Sequence, residues 1–288
     1  MTKTQHPLPE YPRPALRRDS FESLNGLWQF AITKSAQLPR QWEGDILVPY
    51  SPETRASGVG RTLQPGEWLH YYRSFALPAG SGGRVLLHFG AVDYACAVQV
   101  NGHLVGGHRG GYWPFTFDIT EALNADHNRL WVAVQDPTGA GVQARGKQTL
   151  RPGGMFYPAQ SGIWQTVWLE QVDSAHFTSV HFIPSLDSVE VFVQASESGS
   201  VCMEVLEEDS CITAHTFTAG GSQTVSFEAP RLWTPEQPFL YRVRLSLLRA
   251  GRETDRVESY FGLRTFAVQP DENGTPYFLL NGRPYFQK

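Results

Sequence analysis

Nearly every periodic stretch of this chain alternates apolar and polar residues with a repeat of two, and no other feature restricts the fold as strongly. LWQFAI (27–32), YYRSFAL (71–77), RVLLHF (84–89), YACAVQV (94–100), RLWVAV (129–134) and IWQTVWLEQV (163–172) all show it, each bounded by Gly, Pro, Asn or Asp. Successive side chains of a strand point to opposite faces, so such stretches suit strands with one face in a core. The one helical-looking stretch is DITEALN (118–124), where Asp118 or Thr120 could cap a single turn. The pattern predicts an all-β protein.

The rhythm changes at DSAH (173–176). Before it, strands are separated by long Trp- and Gly-bearing excursions, which suits a jelly-roll β-sandwich. After it, FTSVHFI (177–183), VEVFVQA (189–195), VCMEVLE (201–207), TVSFEA (224–229), YRVRLSLL (241–248) and VESYFG (257–262) follow at short, regular spacing. Roughly seven short strands in about ninety residues is the size and rhythm of an immunoglobulin-like sandwich. At 288 residues the chain has ample length for two cores. The expected organisation is an extended Pro-rich arm over 1–20, a jelly roll over 21–173, an immunoglobulin-like sandwich over 174–268 and a further element over 269–288.

Composition removes several classes of function. A net charge of −4 gives no basic footprint for nucleic acid or an anionic membrane. No run approaches eighteen apolar residues, so no membrane-spanning helix is expected. Residues 1–22 hold four prolines and no apolar core, which does not read as a secretory signal. Cys96, Cys202 and Cys211 are too few and too scattered for a disulfide framework or zinc ribbon, and are expected to be reduced and buried. Together these features point to the cytoplasm.

Chemical motifs are scarce. GVQARGKQ (141–148) has P-loop spacing, yet Gln148 stands where a magnesium-holding hydroxyl belongs and TLRPGG cannot form the helix that follows a phosphate cradle. Neither a metal nor a cofactor is expected, because the nine histidines show no ligand-pair spacing. His103 and His108 read as loop histidines, and Trp113 as core packing ahead of a sugar-stacking platform. Asn101-Gly102 and Asn281-Gly282 read as two-residue hairpin turns. Glycoside hydrolysis requires two carboxylates on a rigid scaffold. None here sits in a recognisable acid or nucleophile motif.

LNGLWQF (24–30), RVLLHFGAVDYACAVQVNGHLVGGHRGGYWPFTFDIT (84–120), SGIWQTVWLE (161–170), LWTPEQPFLY (232–241) and YFGLRTF (260–266) keep one order and spacing. In these segments the chain closely resembles the N-terminal half of glycoside hydrolase family 2, the β-galactosidase and β-glucuronidase family. The resemblance runs over about residues 15 to 288. It implies a galactose-binding-domain-like jelly roll that binds sugar, then an immunoglobulin-like domain, then a TIM barrel holding both catalytic glutamates. FLLNGRPYFQK (278–288) resembles the start of that barrel region. The chain is therefore expected to be the non-catalytic front of a retaining glycosidase, its partners the barrel of the same protein and a carbohydrate substrate. Without a barrel to cover, the apolar side chains of 277–286 are expected to pack on the immunoglobulin-like domain or on a neighbouring molecule. The competing readings are a stand-alone carbohydrate-binding module and a pure interaction module.

The resemblance also implies that the loop before SGI (161–163) reaches the barrel's active site and contributes an acid. Spacing from Ser161 puts Phe156 at that position. Lys147, Gln148, Arg151 and Tyr157 are then the candidate substrate contacts, unless they only meet neighbouring protein. No catalytic residue is assigned within the chain.

Overall fold

The computed structural model describes residues 7–77 and 83–287. They form two compact units: one holds the residues up to Pro12 with Ser20–Gln171, the other Arg13–Asp19 with those from Val172 onward.

The first unit is a sandwich of two antiparallel sheets. One has six strands in the order Gly44–Val48, Gly26–Thr33, Trp68–Phe75, Asn128–Gln135, Ala95–Val100 and His103–Arg109. The other has four, in the order Phe21–Ser23, Val167–Val172, Arg84–Phe89 and Phe115–Asp118. The alternation explains the layers. Trp28, Leu69, Tyr71, Val98 and Val132 project inward from the first sheet, Leu87, Phe89, Val167 and Leu169 from the second, and all lie in one buried cluster. Burial of each large side chain contributes about 1.5–3 kcal/mol.

The second unit packs the three-stranded sheet Phe177–Pro184, Ser188–Ala195, Ser222–Ser226 on a four-stranded one. The latter runs Ser210–Thr218, Ser200–Glu207, Tyr241–Arg249, Arg252–Phe261. Val189, Val191 and Val193 share a buried core with Met203, Val205, Leu245 and Val257. The fold is thus all-β, a galactose-binding-domain-like jelly roll followed by an immunoglobulin-like sandwich.

Several local expectations change. IWQTVWLEQV is two strands, Gly162–Ile163 and Val167–Val172. The Trp164 indole turns aside to donate to the Gly111 carbonyl at 2.8 Å, and the Asn25 side chain accepts the Val167 N–H at 3.1 Å. DITEALN holds only a short 3-10 turn, Thr120–Ala122. Both Asn-Gly turns have positive φ at each central residue, as a type I′ turn requires. All three thiols are free, but only Cys96 is buried. Cys211 is exposed because it sits opposite Leu206 on the edge strand of its sheet, away from Cys202, which pairs with Thr216. Trp113 is 74% exposed and takes no place in the core. Among the described residues no helix is long and apolar enough to cross a membrane.

Phe266–Pro270, Pro276–Leu280 and Arg283–Pro284 form a small meander. Its residues pack on the second unit only in part: the Tyr285 hydroxyl donates to Glu236 Oε1 at 3.0 Å and the Asn281 amide to the Trp233 carbonyl at 3.1 Å. Leu280 is buried, while Phe266 (66% exposed), Phe278 (60%) and Phe286 (83%) face outward.

Within the second unit, Arg18 is buried and forks onto Asp255, with Nε to Oδ1 at 3.0 Å and Nη2 to Oδ2 at 2.8 Å. Asp255 Oδ2 also accepts the Phe177 N–H at 2.7 Å, and Arg18 Nη2 donates to the Phe177 carbonyl at 2.6 Å. The pair thereby ties the 13–19 segment to two strands of different sheets. Removing one member of a buried pair strands the other charge at a cost of about 3–5 kcal/mol, whereas replacing both with apolar groups is often neutral. Urea unfolding should therefore show D255A to be destabilised by about 3 kcal/mol or more, and the R18M/D255L double variant to recover much of the loss. Equal stability of D255A and wild type would show that the pair ties nothing.

Candidate functional site: a recess under the 145–160 loop

The first unit holds a recess of about 230 Å³ lined by Asp93, Tyr112, Arg145, Lys147, Gln148, Tyr157, Pro158, Gln160 and Trp164. Its floor begins at SGI. The Gly162–Ile163 strand pairs antiparallel with Val92–Asp93, which places Asp93 beside Gly162. Gly162 has φ +78°, and a Cβ there would lie 2.1 Å from the Tyr71 hydroxyl oxygen, so no other residue fits. That hydroxyl accepts the Ile163 N–H at 3.1 Å. Ser161 is equally fixed. Its Oγ donates to Asp136 Oδ2 at 2.8 Å and its N–H to Glu53 Oε2 at 3.1 Å.

The loop above this floor, 145–160, carries structure of its own. Gln148–Thr149 and Tyr157–Pro158 pair in parallel, the Tyr157 N–H donates to the Lys147 carbonyl at 3.0 Å, and Gly153 and Phe156 exchange backbone hydrogen bonds at 3.1 and 3.3 Å. Gln148 fastens it to the floor: Nε2 donates to Asp93 Oδ2 at 2.9 Å and Oε1 accepts the Gln160 N–H at 2.6 Å. Lys147 and Tyr157 are left exposed at the rim. Of the four candidates from sequence, the structure brings Lys147, Gln148 and Tyr157 into one recess and leaves Arg151 outside it. Phe156 is 51% exposed on the loop, and its ring is not among the recess walls.

The carboxyl groups beneath the recess were not legible in the sequence. Asp93, Asp136 and Glu53 come from three distant segments, and burial pushes all three above the usual carboxylate range. Asp93 rises furthest, to about 7, through desolvation first and then repulsion from Asp136 and Glu53, with the Gln148 hydrogen bond opposing. Burying a carboxylate favours its neutral form. Near neutral pH Asp93 is therefore divided between an acceptor-only anion and an acid that donates. Asp136 is sealed under Thr138 and Ser161, which hydrogen-bond its carboxylate. A retaining hydrolase needs two carboxyl groups flanking one glycosidic bond with access from both sides. Asp93 lines the recess and Asp136 does not, so the arrangement can bind and orient a polar ligand but offers no acid–nucleophile pair.

Residues 61–165 match the galactose-binding-like domain of glycosyl hydrolase family 2, and residues 175–264 match the glycosyl hydrolases family 2 model, together more than half of the chain. A β-glucuronidase of Paenibacillus borealis is 27% identical over 96% of this chain and 50% of its own length. A β-galactosidase of Thermoanaerobacter pseudethanolicus is 29% identical over 70% of this chain and 28% of its own. In structure, a Bifidobacterium dentium β-glucuronidase complexed with coumarin-3-O-glucuronide matches with a TM-score of 0.73 at 24% identity, covering 94% of this chain and 52% of that one. The chain therefore spans about half or less of the length of these relatives. With both of its sandwiches matched in order, the chain belongs to glycoside hydrolase family 2.

Proposed function

We propose that this chain is the non-catalytic front of a retaining β-glycosidase of the β-glucuronidase or β-galactosidase kind, inactive without a catalytic barrel. The observation that carries the reading is a recess with binding groups and no second accessible carboxyl group, in a chain that spans at most about half of enzymes with those names. In the proposal, 269–288 leads into the barrel, 21–173 and 174–268 are the two accessory domains, and the 145–160 loop lines the barrel's substrate site. Lys147 and Tyr157 contact the sugar, and Gln148 positions them by holding the loop to Asp93. A cytoplasmic location belongs to the same reading, supported by three unpaired thiols. Continuation of the reading frame past the Lys288 codon into alternating strands and helices tests the whole reading, and a stop codon there would defeat it.

Three further outcomes follow. The purified 288-residue chain should release no nitrophenol from a panel of aryl glycosides above a mock-purified control, and real turnover would overturn the assignment. In the barrel-bearing enzyme, K147A or Y157A should lower kcat/KM about ten-fold, since a lost hydrogen bond to substrate costs about 1–3 kcal/mol. Their Tm should not change, because both side chains are exposed. Wild-type kcat/KM in both variants would show that the loop serves only structure.

The third outcome concerns pH. A folded-state pKa raised from 3.8 to about 7 means that Asp93 contributes most to stability below its unfolded pKa, and that this contribution is lost as pH rises through about 7. D93N keeps an acceptor for Gln148 without the charge. Its stability relative to wild type should climb from pH 4 to pH 7 and level off above. Parallel stability curves for the two proteins across that window would contradict the raised pKa.

A further inference from the structure

The outer face of the six-stranded sheet carries a second, larger recess, of about 670 Å³, with no role in the reading above. In-register pairing aligns Gln29, Tyr72, Trp131 and Gln99 in one row across four adjacent strands. Each alternates with a core residue, so all four face away from the core. Strands lie about 4.8 Å apart, which sets Tyr72 and Trp131 side by side as a double aromatic floor. Trp42 leans onto Tyr72 with ring centroids 5.4 Å apart and builds one wall. Arg129 extends the same face one pair along Trp131's strand.

The floor is held in place. The Trp131 indole Nε1–H donates to His70 Nδ1 at 3.3 Å, the two rings stack at 5.8 Å, and His70 Nε2 lies 3.0 Å from the Ser35 carbonyl. Those partners require a neutral imidazole with its proton on Nε2. Burial lowers the His70 pKa and keeps it in that form. The binding groups, by contrast, are unspent. Among the described residues the side-chain amides of Gln29 and Gln99 and the Arg129 guanidinium have no hydrogen-bond or ion-pair partner, and no carboxylate lines the recess. Asn101 is occupied, because its side chain bonds Ala122, Asn128 and Arg129.

Fixed aromatic faces flanked by free planar amides match one ligand chemistry well. A pyranose ring offers an apolar C–H face to an aromatic ring and, around its rim, paired hydroxyls that both donate to and accept from an amide. We propose that this face binds a segment of an oligosaccharide chain lying across the strands, with consecutive pyranose rings over Tyr72 and Trp131. Gln29 and Gln99 take the hydroxyls, and Arg129 accommodates a hydroxyl or an acidic substituent. The proposal is independent of the assignment of the 145–160 loop.

Affinity electrophoresis tests it. The full 288-residue chain is run through native gels containing soluble glucuronoxylan, galactan or xyloglucan, and titrated calorimetrically with oligosaccharides of whichever glycan retards it. Retardation by at least one of the three is expected, with association at least ten-fold weaker in W131A. Q29A and Q99A alter only exposed or half-buried amides without partners. Each should weaken binding at least three-fold at unchanged Tm, so the test stands even if W131A fails to fold. Free migration in all three gels would overturn the proposal, as would equal retardation of wild type, Q29A and Q99A. So would self-association through this face, seen as a dimer that W131A or Q99A dissolves, without any glycan retardation.

Discussion

The recess depends on how the chain re-enters the sandwich at Ser161-Gly162-Ile163. Three groups meet there: the buried Tyr71 hydroxyl, which leaves no room for a Cβ at Gly162, and the carboxyls of buried Asp136 and half-buried Glu53, which hold Ser161 through its hydroxyl and its N–H. A loop is a source of conformational entropy, and one that must present side chains needs fixed ends. Here the end is fixed by hydrogen bonds made inside the core, where an unmade bond would cost about 1–3 kcal/mol. From this point Gln148 carries the order outward to Gln160 and Asp93.

The same arrangement explains the perturbed acids. Three carboxyl groups gathered under one loop cannot all ionise cheaply in a desolvated site. Asp136 and Glu53 are compensated by hydrogen bonds from Ser161 and, for Asp136, Thr138. Asp93 has chiefly the amide of Gln148, and its pKa rises furthest. A carboxyl shared between neutral and charged forms near pH 7 is suited to a polar ligand, since it can donate or accept.

Much of the fold is legible in sequence because the physics is local. RVLLHF occupies the strand Arg84–Phe89, and VEVFVQA lies within Ser188–Ala195, since strict alternation and bounding turn residues settle side and length. Where alternation continued through a tertiary commitment it misled. IWQTVWLEQV reads as one strand, but the Trp164 indole is claimed by Gly111 and the Val167 N–H by Asn25, partners far away in sequence. The site divides in the same way. Of the four residues that the resemblance of the 145–160 loop singles out, Lys147, Gln148 and Tyr157 line the recess and Arg151 does not. Asp93, Asp136 and Glu53 were missed because only folding brings them together, and a lone Asp after an apolar strand carries no signal of its own. The row Gln29, Tyr72, Trp131, Gln99 is equally invisible until strand register is known.

The most direct measurement is a crystal structure of the barrel-bearing enzyme with a slowly hydrolysed substrate analogue bound. The account predicts Lys147 Nζ or Tyr157 Oη at hydrogen-bond distance from the sugar, within about 3.2 Å. Finding both beyond the reach of a bridging water, with the 145–160 loop turned away from the bound sugar, would contradict it.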